Sequence, residues 1–337
     1  VNILVTGGAG FIGSNFVRYM LDTYPDYQII NYDLLTYAGN LENLKEYENR
    51  KNYSFIKGDI RNKELLQYVV KKHRVNAIIN FAAESHVDRS ISDPGIFVKT
   101  NVLGTQVLLD VAKENNIVKY VQISTDEVYG SLGEDGFFIE TTPLSPNSPY
   151  SASKASSDLF VQAYHETYGM NVNITRCSNN YGPFHFPEKL IPLMITNALE
   201  GKSLPVYGDG KNVRDWLHVS DHCSAIDLVL HNGAPGEVYN IGGHNEKQNI
   251  DVIKEILNIL EKPHSLIQFI EDRAGHDRRY AIDATKIRDD LGWKPAYDFE
   301  KGLLETVNWY LNNKAWWNRI KSGEYQRYYE TQYGILL

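Results

Sequence analysis

The chain has 337 residues, 42% hydrophobic and 23% charged, with a formal net charge of -8. That composition fits a globular protein with one large core or two intimate ones, and the acidic balance argues against a nucleic-acid partner. Two cysteines, Cys177 and Cys223, are too few for a disulfide framework and read as buried thiols. No apolar stretch is long enough to span a bilayer, and Val1-Asn2-Ile3-Leu4-Val5 runs into a glycine turn with no cleavage-like site. The expected address is therefore cytoplasmic, with no membrane partner.

In chain order, short apolar runs alternate with helical patterns. Strands are expected at 3–5, 28–32, 53–57, 77–81, 120–124 and 171–175, and helices at about 11–22, 62–73, 95–115 and 150–168. This alternation predicts right-handed βαβ units: an α/β fold with a Rossmann-type doubly wound parallel sheet. Residues 1–182 are expected to form the dinucleotide-binding domain. After Tyr181-Gly182-Pro183 the pattern loosens, and 183–337 reads mainly as a smaller C-terminal substrate-binding domain. Segments near 213–243, including Val238-Tyr239-Asn240-Ile241, look able to rejoin the first domain. The tail from about Lys314 is rich in Trp and Tyr and reads as surface packing.

Thr6-Gly7-Gly8-Ala9-Gly10-Phe11-Ile12-Gly13 joins the first strand to the first helix. A backbone without side chains turns tightly there and approaches a pyrophosphate at the positive helix end. Asp33 closes the second strand, twenty residues past Gly13, where a carboxylate bonds both ribose hydroxyls and repels a 2′-phosphate, so NAD is favoured over NADP. Asp59-Ile60, after the third strand, reads either as flanking the adenine or as a plain loop.

Tyr150 and Lys154, four apart on a helix opened by Pro149, share one face. An ammonium beside a phenol favours the phenolate, which takes an alcohol's proton as hydride leaves. Thr125, Asp126 and Glu127 follow a parallel strand, where open α/β sheets place their chemistry. Two neighbouring carboxyls can hold different protonation states, one acid and one base. The bland alternative is that one of these acids caps the following turn.

The glycine turn, Asn80-Phe81-Ala82-Ala83-Glu84-Ser85-His86-Val87-Asp88, Ser124-Thr125-Asp126-Glu127-Val128-Tyr129-Gly130 and Tyr150-Ser151-Ala152-Ser153-Lys154 resemble the extended short-chain dehydrogenase/reductases over nearly the whole length. The Thr-Asp-Glu triplet resembles the sugar-nucleotide dehydratases of that family. Epimerases and decarboxylases usually carry small or hydroxyl residues there. The resemblance implies bound NAD and a sugar-nucleotide substrate, dTDP-glucose, with oxidation at C4, loss of water across C5 and C6, and hydride return to C6. It implies Tyr150, Lys154 and Thr125 at C4, Glu127 as the C5 base and Asp126 as the acid for the C6 hydroxyl. It implies NAD contacts from Gly7, Gly10, Phe11, Ile12, Gly13, Asp33, Thr36, Asp59, Ile60, Ala82, Ala83, Thr100, Tyr150, Lys154 and Asn180. Implied substrate contacts are Ser85, His86, Thr125, Asn179, Glu188, Lys189, Leu190, Pro205, Tyr207, Arg214, Asn249, Arg273, His276 and Tyr280. Arg214 and Arg273 are guanidinium groups suited to a diphosphate, and Tyr207 to stacking on a base.

The resemblance also implies a homodimer, with the helices at about 95–115 and 150–168 forming a four-helix bundle; their apolar faces fit burial within one subunit equally well. The histidines show no metal-ligand spacing beyond His218-x-x-x-His222, which lacks a partner set, so no metal is expected. Two rival readings stand: an epimerase or decarboxylase of the same family, and a silent sugar-nucleotide-binding protein on the same fold.

Overall fold

A computed structural model describes residues 1–272 and 275–323 of the chain. The first half runs β1 (Asn2–Thr6), α1 (Phe11–Thr23), β2 (Gln28–Asp33), β3 (Tyr53–Lys57), α2 (Lys63–His73), β4 (Ala77–Asn80), α3 (Val87–Ser92), α4 (Pro94–Phe97), α5 (Gly104–Glu114), β5 (Lys119–Thr125), α6 (Pro149–Tyr168) and β6 (Val172–Cys177). A π-helical segment, Val98–Leu103, joins α4 to α5. The second half runs β7 (Asn179–Tyr181), α7 (Leu190–Leu199), β8 (Leu204–Tyr207), β9 (Val213–His218), α8 (Val219–Asn232), β10 (Val238–Ile241), β11 (Glu246–Gln248), α9 (Asn249–Ile259), β12 (Ile267–Ile270), α10 (Thr285–Leu291), α11 (Phe299–Asn312) and α12 (Lys314–Ser322).

Seven parallel strands form the central sheet in the order β10-β6-β5-β4-β1-β2-β3. Its central strands are largely buried on both faces, as the doubly wound reading expects, with polar side chains such as Asn80, Gln122 and Arg176 buried among the apolar ones. Alternation along β1 sends Ile3 and Val5 into a core shared with α1 and α8, and Leu4 into one shared with α2, α5 and α6. The strand order reverses between β1 and β4, so the β1 and β4 loops diverge and leave a crevice at the carboxyl ends of the strands.

The later segments build a second core from α7, α9, α11 and α12. Two small sheets, β11-β9-β7 and β12-β8, hang beside it. The chain returns to the central sheet through β10, which pairs with β6. The aromatic tail departs from expectation. Trp316 and Trp317 are buried, and their indole N–H groups donate to Asn43 Oδ1 and the Tyr310 carbonyl, both at 2.9 Å. An amphipathic α12 supplies these two apolar neighbours to the core face, so they are core residues, not surface packing. The tail's remainder, 324–337, lies outside the described residues.

The helix that carries Tyr150 is fixed at both ends. Ser148 caps it in a reciprocal box with Ser151, Pro149 takes the first turn where no donor is needed, and Gly169 closes it at φ 65°. Ser148→Ala removes the cap acceptor and is expected to lower stability by about 1 kcal/mol. A shift of the urea midpoint at unchanged m-value would register this; an unchanged midpoint would show that the cap contributes nothing.

Candidate active site

A cleft of about 400 Å³ opens at the carboxyl ends of β1, β2, β4 and β5. Every residue expected to touch NAD lines it, from Gly7 through Asn180. Of the expected substrate residues, Ser85, Thr125, Asn179, Glu188, Lys189 and Leu190 line it as well, with Asp126 and Glu127.

The glycines serve different needs. Gly7 sits at φ 69°, and a Cβ there would lie 2.6 Å from the Ala82 amide nitrogen. A Cβ on Gly13 would lie 2.2 Å from the Gly7 carbonyl oxygen. Gly10 differs: its nearest contact would be the Gly7 oxygen at 3.4 Å, so the fold itself tolerates a side chain there. Gly10 lines the cleft at the start of α1, whose first N–H groups have no partner within the helix. This cradle, which a Cβ would fill, fits a pyrophosphate. Asp33 lines the cleft at the end of β2, its two oxygens held by the Ala9 and Leu35 amides at 2.9 and 2.8 Å. Burial pushes its carboxyl up, and those two bonds oppose the shift. Asp59 is also raised by burial, but the Arg61 fork, at 2.5 and 2.9 Å, outweighs it and holds the carboxyl below the usual range.

The reactive groups meet at the end of β5. Lys154 is buried, and its ammonium donates to the Ile123 carbonyl at 2.7 Å. Burial, followed by the charge of Glu127, pushes the Tyr150 phenol well up, with a Thr125 hydrogen bond opposing. Lys154 is directed at the strand carbonyl, and the charges of Glu127 and Asp126 add to the effect of burial on Tyr150.

Thr125, not an acid, caps the turn Asp126–Tyr129, accepting from the Glu127 amide at 3.3 Å. Asp126 is therefore released from capping. It is almost fully buried, takes a 3.3 Å bond from the Thr125 hydroxyl, and leaves Oδ2 without a hydrogen-bond partner. Burial, then the charges of Glu127 and Asp215, raise its carboxyl well above the usual range against the pull of Arg214. A shift in that direction favours the protonated carboxyl, the form that can donate a proton.

The other expected substrate residues do not line this cleft but gather beside it. His86 Nε2 lies 3.6 Å from Glu188. Arg214, on β9, is buried; it donates to the Val213 and Asp277 carbonyls at 2.8 and 2.9 Å and covers the Tyr280 ring at 4.3 Å. Tyr280 in turn donates to Asp277 at 2.5 Å. Tyr207 stands edge-on to His276, 6.1 Å between centroids, and His276 pairs with Asp272 at 2.6 Å. Pro205 lies with Tyr207 on β8, and Asn249 opens α9 with its amide bonded to the Asn212 carbonyl. Arg273 lies outside the described residues. His218 and His222 do not converge on a metal: His218 stacks on Tyr297 at 3.9 Å and His222 bonds Asn180 at 2.9 Å.

Sequence reasoning missed several lining residues, among them Tyr37, Arg61, Glu84, Ser178 and His185. Arg61 and Tyr37 directly adjoin residues that were recognised, and that adjacency was the available signal. His185 had none: it stacks on Phe11 at 4.1 Å across a long sequence separation. Asn101, in the π-helical segment, was also missed. It holds both backbone groups of Glu84 and donates to Ser153 at 2.8 Å.

A glycine turn, an acid closing the second strand and a Tyr-x-x-x-Lys helix on one crevice define the short-chain dehydrogenase/reductase class. The family model for GDP-mannose 4,6 dehydratase matches residues 4–306, and the chain belongs to that family. A dTDP-glucose 4,6-dehydratase of Xanthomonas campestris pv. campestris is 53% identical, over 96% of this chain and 97% of its own. The solved dTDP-glucose 4,6-dehydratase of Bacillus anthracis, in complex with NAD, is 59% identical with a TM-score of 0.90, covering 95% of this chain and 99% of its own. That of Streptomyces venezuelae, with NAD and TYD bound, is 51% identical with a TM-score of 0.92, covering 95% and 100%.

Gly10→Ala is expected to melt as wild type yet bind NAD at least roughly tenfold more weakly, about 1.4 kcal/mol. Titration calorimetry on protein stripped of nucleotide checks this, and unchanged affinity would remove Gly10 from the cradle.

Proposed function

We propose that this protein dehydrates dTDP-glucose to dTDP-4-keto-6-deoxyglucose, using NAD that is regenerated in each cycle. The observation that carries the reading is the acid pair: a buried Asp126, pushed toward its protonated form, next to Glu127, on the same cleft as Tyr150 and Lys154. A simple alcohol dehydrogenase has no use for that pair. When bound, NAD⁺ supplies the hydride acceptor for C4 and the donor for C6, and brings a positive charge of the sign the Tyr150 phenolate needs.

The chain's own residues handle the protons. Tyr150 takes the C4 hydroxyl proton, with Thr125 sharing the hydrogen bond. The C4 ketone makes the C5 proton acidic, and Glu127 removes it. Asp126 gives its proton to the departing C6 hydroxyl, which leaves as water. Glu127 returns its proton to C5. Tyr150 then releases its proton to solvent and Asp126 regains one from solvent, so the site is reset and atoms balance with the loss of one water and no external oxidant. Because Asp126 acts as the acid, turnover falls as pH rises through its elevated pKa.

Residues beyond 183 contribute the sugar-nucleotide half, with Arg214, Tyr207, Asn249, His276 and Tyr280 on the nucleotide side. Among the described residues no helix is long and apolar enough to cross a membrane, and we place the enzyme in the cytoplasm, in deoxysugar synthesis such as that of dTDP-rhamnose. The functional unit is a homodimer. Val98 and Leu103 of the π-helical segment, and Leu159 and Phe160 of α6, are exposed apolar side chains on helices that pack together. Pairing them with a second copy makes a four-helix bundle.

The test is incubation of purified protein with dTDP-glucose and with UDP-glucose, without added oxidant, followed by mass and sugar NMR. A loss of one water from dTDP-glucose is expected, and a mass-neutral galactose isomer would overturn the reading. Glu127→Gln should cut product formation at least roughly a hundredfold, within the usual worth of a general base, while bound NADH absorbance accumulates. For the dimer, light scattering should give twice the chain mass for wild type and the monomer mass for Leu159→Asp/Phe160→Asp; a monomeric wild type would discard it.

A further inference from the structure

One buried group lies outside the mechanism just described and touches both halves of it. Arg176, on β6, is among the largest fully buried side chains of the protein. Its Nε donates to Asp158 Oδ2 at 2.8 Å, and its Nη1 to the Tyr129 hydroxyl at 3.0 Å. The guanidinium also lies 4.9 Å from the Tyr129 ring centre. The Tyr129 hydroxyl donates onward to Asn240 Oδ1 at 2.8 Å, and Asn240 donates to the Phe138 carbonyl at 3.1 Å.

The two residues that Arg176 holds sit on the two catalytic elements. Asp158 lies on α6 one turn beyond Lys154, which lies one turn beyond Tyr150, so all three share a face. Tyr129 ends the short turn that begins with Asp126 and Glu127. Arg176 itself pairs with Ser124 on β5, one residue before Thr125. A charge pair this deep carries a large desolvation cost, and a hydrophobic set of similar volume would pack the site without it. Surplus stability is therefore a poor account of it. A fork with donors at fixed angles does what an apolar cluster does not: it sets the distance and angle between the elements it joins.

We propose that Asp158, Arg176 and Tyr129 are positioning residues that hold the proton-abstracting helix face of Tyr150 and Lys154 in register with the elimination turn of Asp126 and Glu127. The proposal rests on the dehydratase reading, since only that reaction asks both elements to act in sequence on adjacent carbons of one sugar. None of the three touches substrate; each acts through the residue one turn or a few positions away. Asp158 has a second function in the same network. It stands between two buried cations, Lys154 and Arg176, and its charge opposes the burial that lowers the Lys154 pKa.

Tyr129→Phe tests the link, because it keeps the ring against Phe138 and Arg176 and removes only the hydroxyl bridge. The holoenzyme variant is expected to keep the wild-type KM for dTDP-glucose, lose about tenfold in kcat, and show a larger steady-state fraction of bound NADH at 340 nm. That combination means oxidation proceeds while elimination lags, which a loss of folded protein does not produce. Arg176→Lys, which keeps the charge but not the fork, should show the same NADH signature, and its melting curve separates this from unfolding. Wild-type kcat and wild-type NADH in folded Tyr129→Phe would overturn the positioning role, as would loss of kcat with no NADH build-up. If the wild-type enzyme itself gives no 4-keto product, the dehydratase reading fails first, and this proposal with it.

Discussion

Removal of water governs this site before any specific contact does. Burial is the largest influence on the Asp126 carboxyl, the Tyr150 phenol and the Lys154 ammonium, and it pushes each toward its neutral form. A carboxyl pushed toward its protonated form is suited to donating a proton, and a phenol or ammonium so placed responds strongly to any charge brought near it. The crevice therefore has to be dry and has to form at the carboxyl ends of parallel strands, where β5 delivers Thr125, Asp126 and Glu127 together. The sheet order, with its reversal between β1 and β4, is what supplies such a crevice.

Local chemistry then assigns work within it. Because Thr125 caps the turn after β5, neither acid is consumed by capping. Both acids line the cleft, Asp126 almost fully buried and Glu127 half-buried. The glycines divide similarly: Gly7 and Gly13 are required by the protein's own backbone, and Gly10 only by what lies against it. One motif thus contains positions under two different constraints, which a spacing pattern cannot separate.

The central sheet was readable in the sequence because its strands are short, doubly buried apolar runs, such as Ile3-Leu4-Val5 and Ala77-Ile78-Ile79, set between helical patterns. β7 and β11 were not, since each has three mostly polar residues whose pairing with β9 comes from across the fold. The cleft-lining cofactor candidates sit on local motifs and were legible for that reason. His185 and Asn101 were not, because their partners are distant or lie on a π-helical segment that follows no 3.6-residue rule. The Tyr150–Lys154 spacing was legible but its electrostatics were not: the direction of the ammonium depends on the Ile123 carbonyl of a neighbouring strand. The tryptophans at 316 and 317 were misread because composition alone does not tell a core face from a surface one.

Trp316 ties the dinucleotide cradle to the second core. Its indole N–H bonds Asn43 Oδ1, 273 residues earlier, and the Asn43 amide bonds the carbonyl of Ala9 at 3.2 Å, inside the glycine turn. The dinucleotide cradle is thus braced by a residue of α12, far from it along the chain. That brace forms only when two segments 273 residues apart have come together, so the finished cradle reports that the second core is already in place.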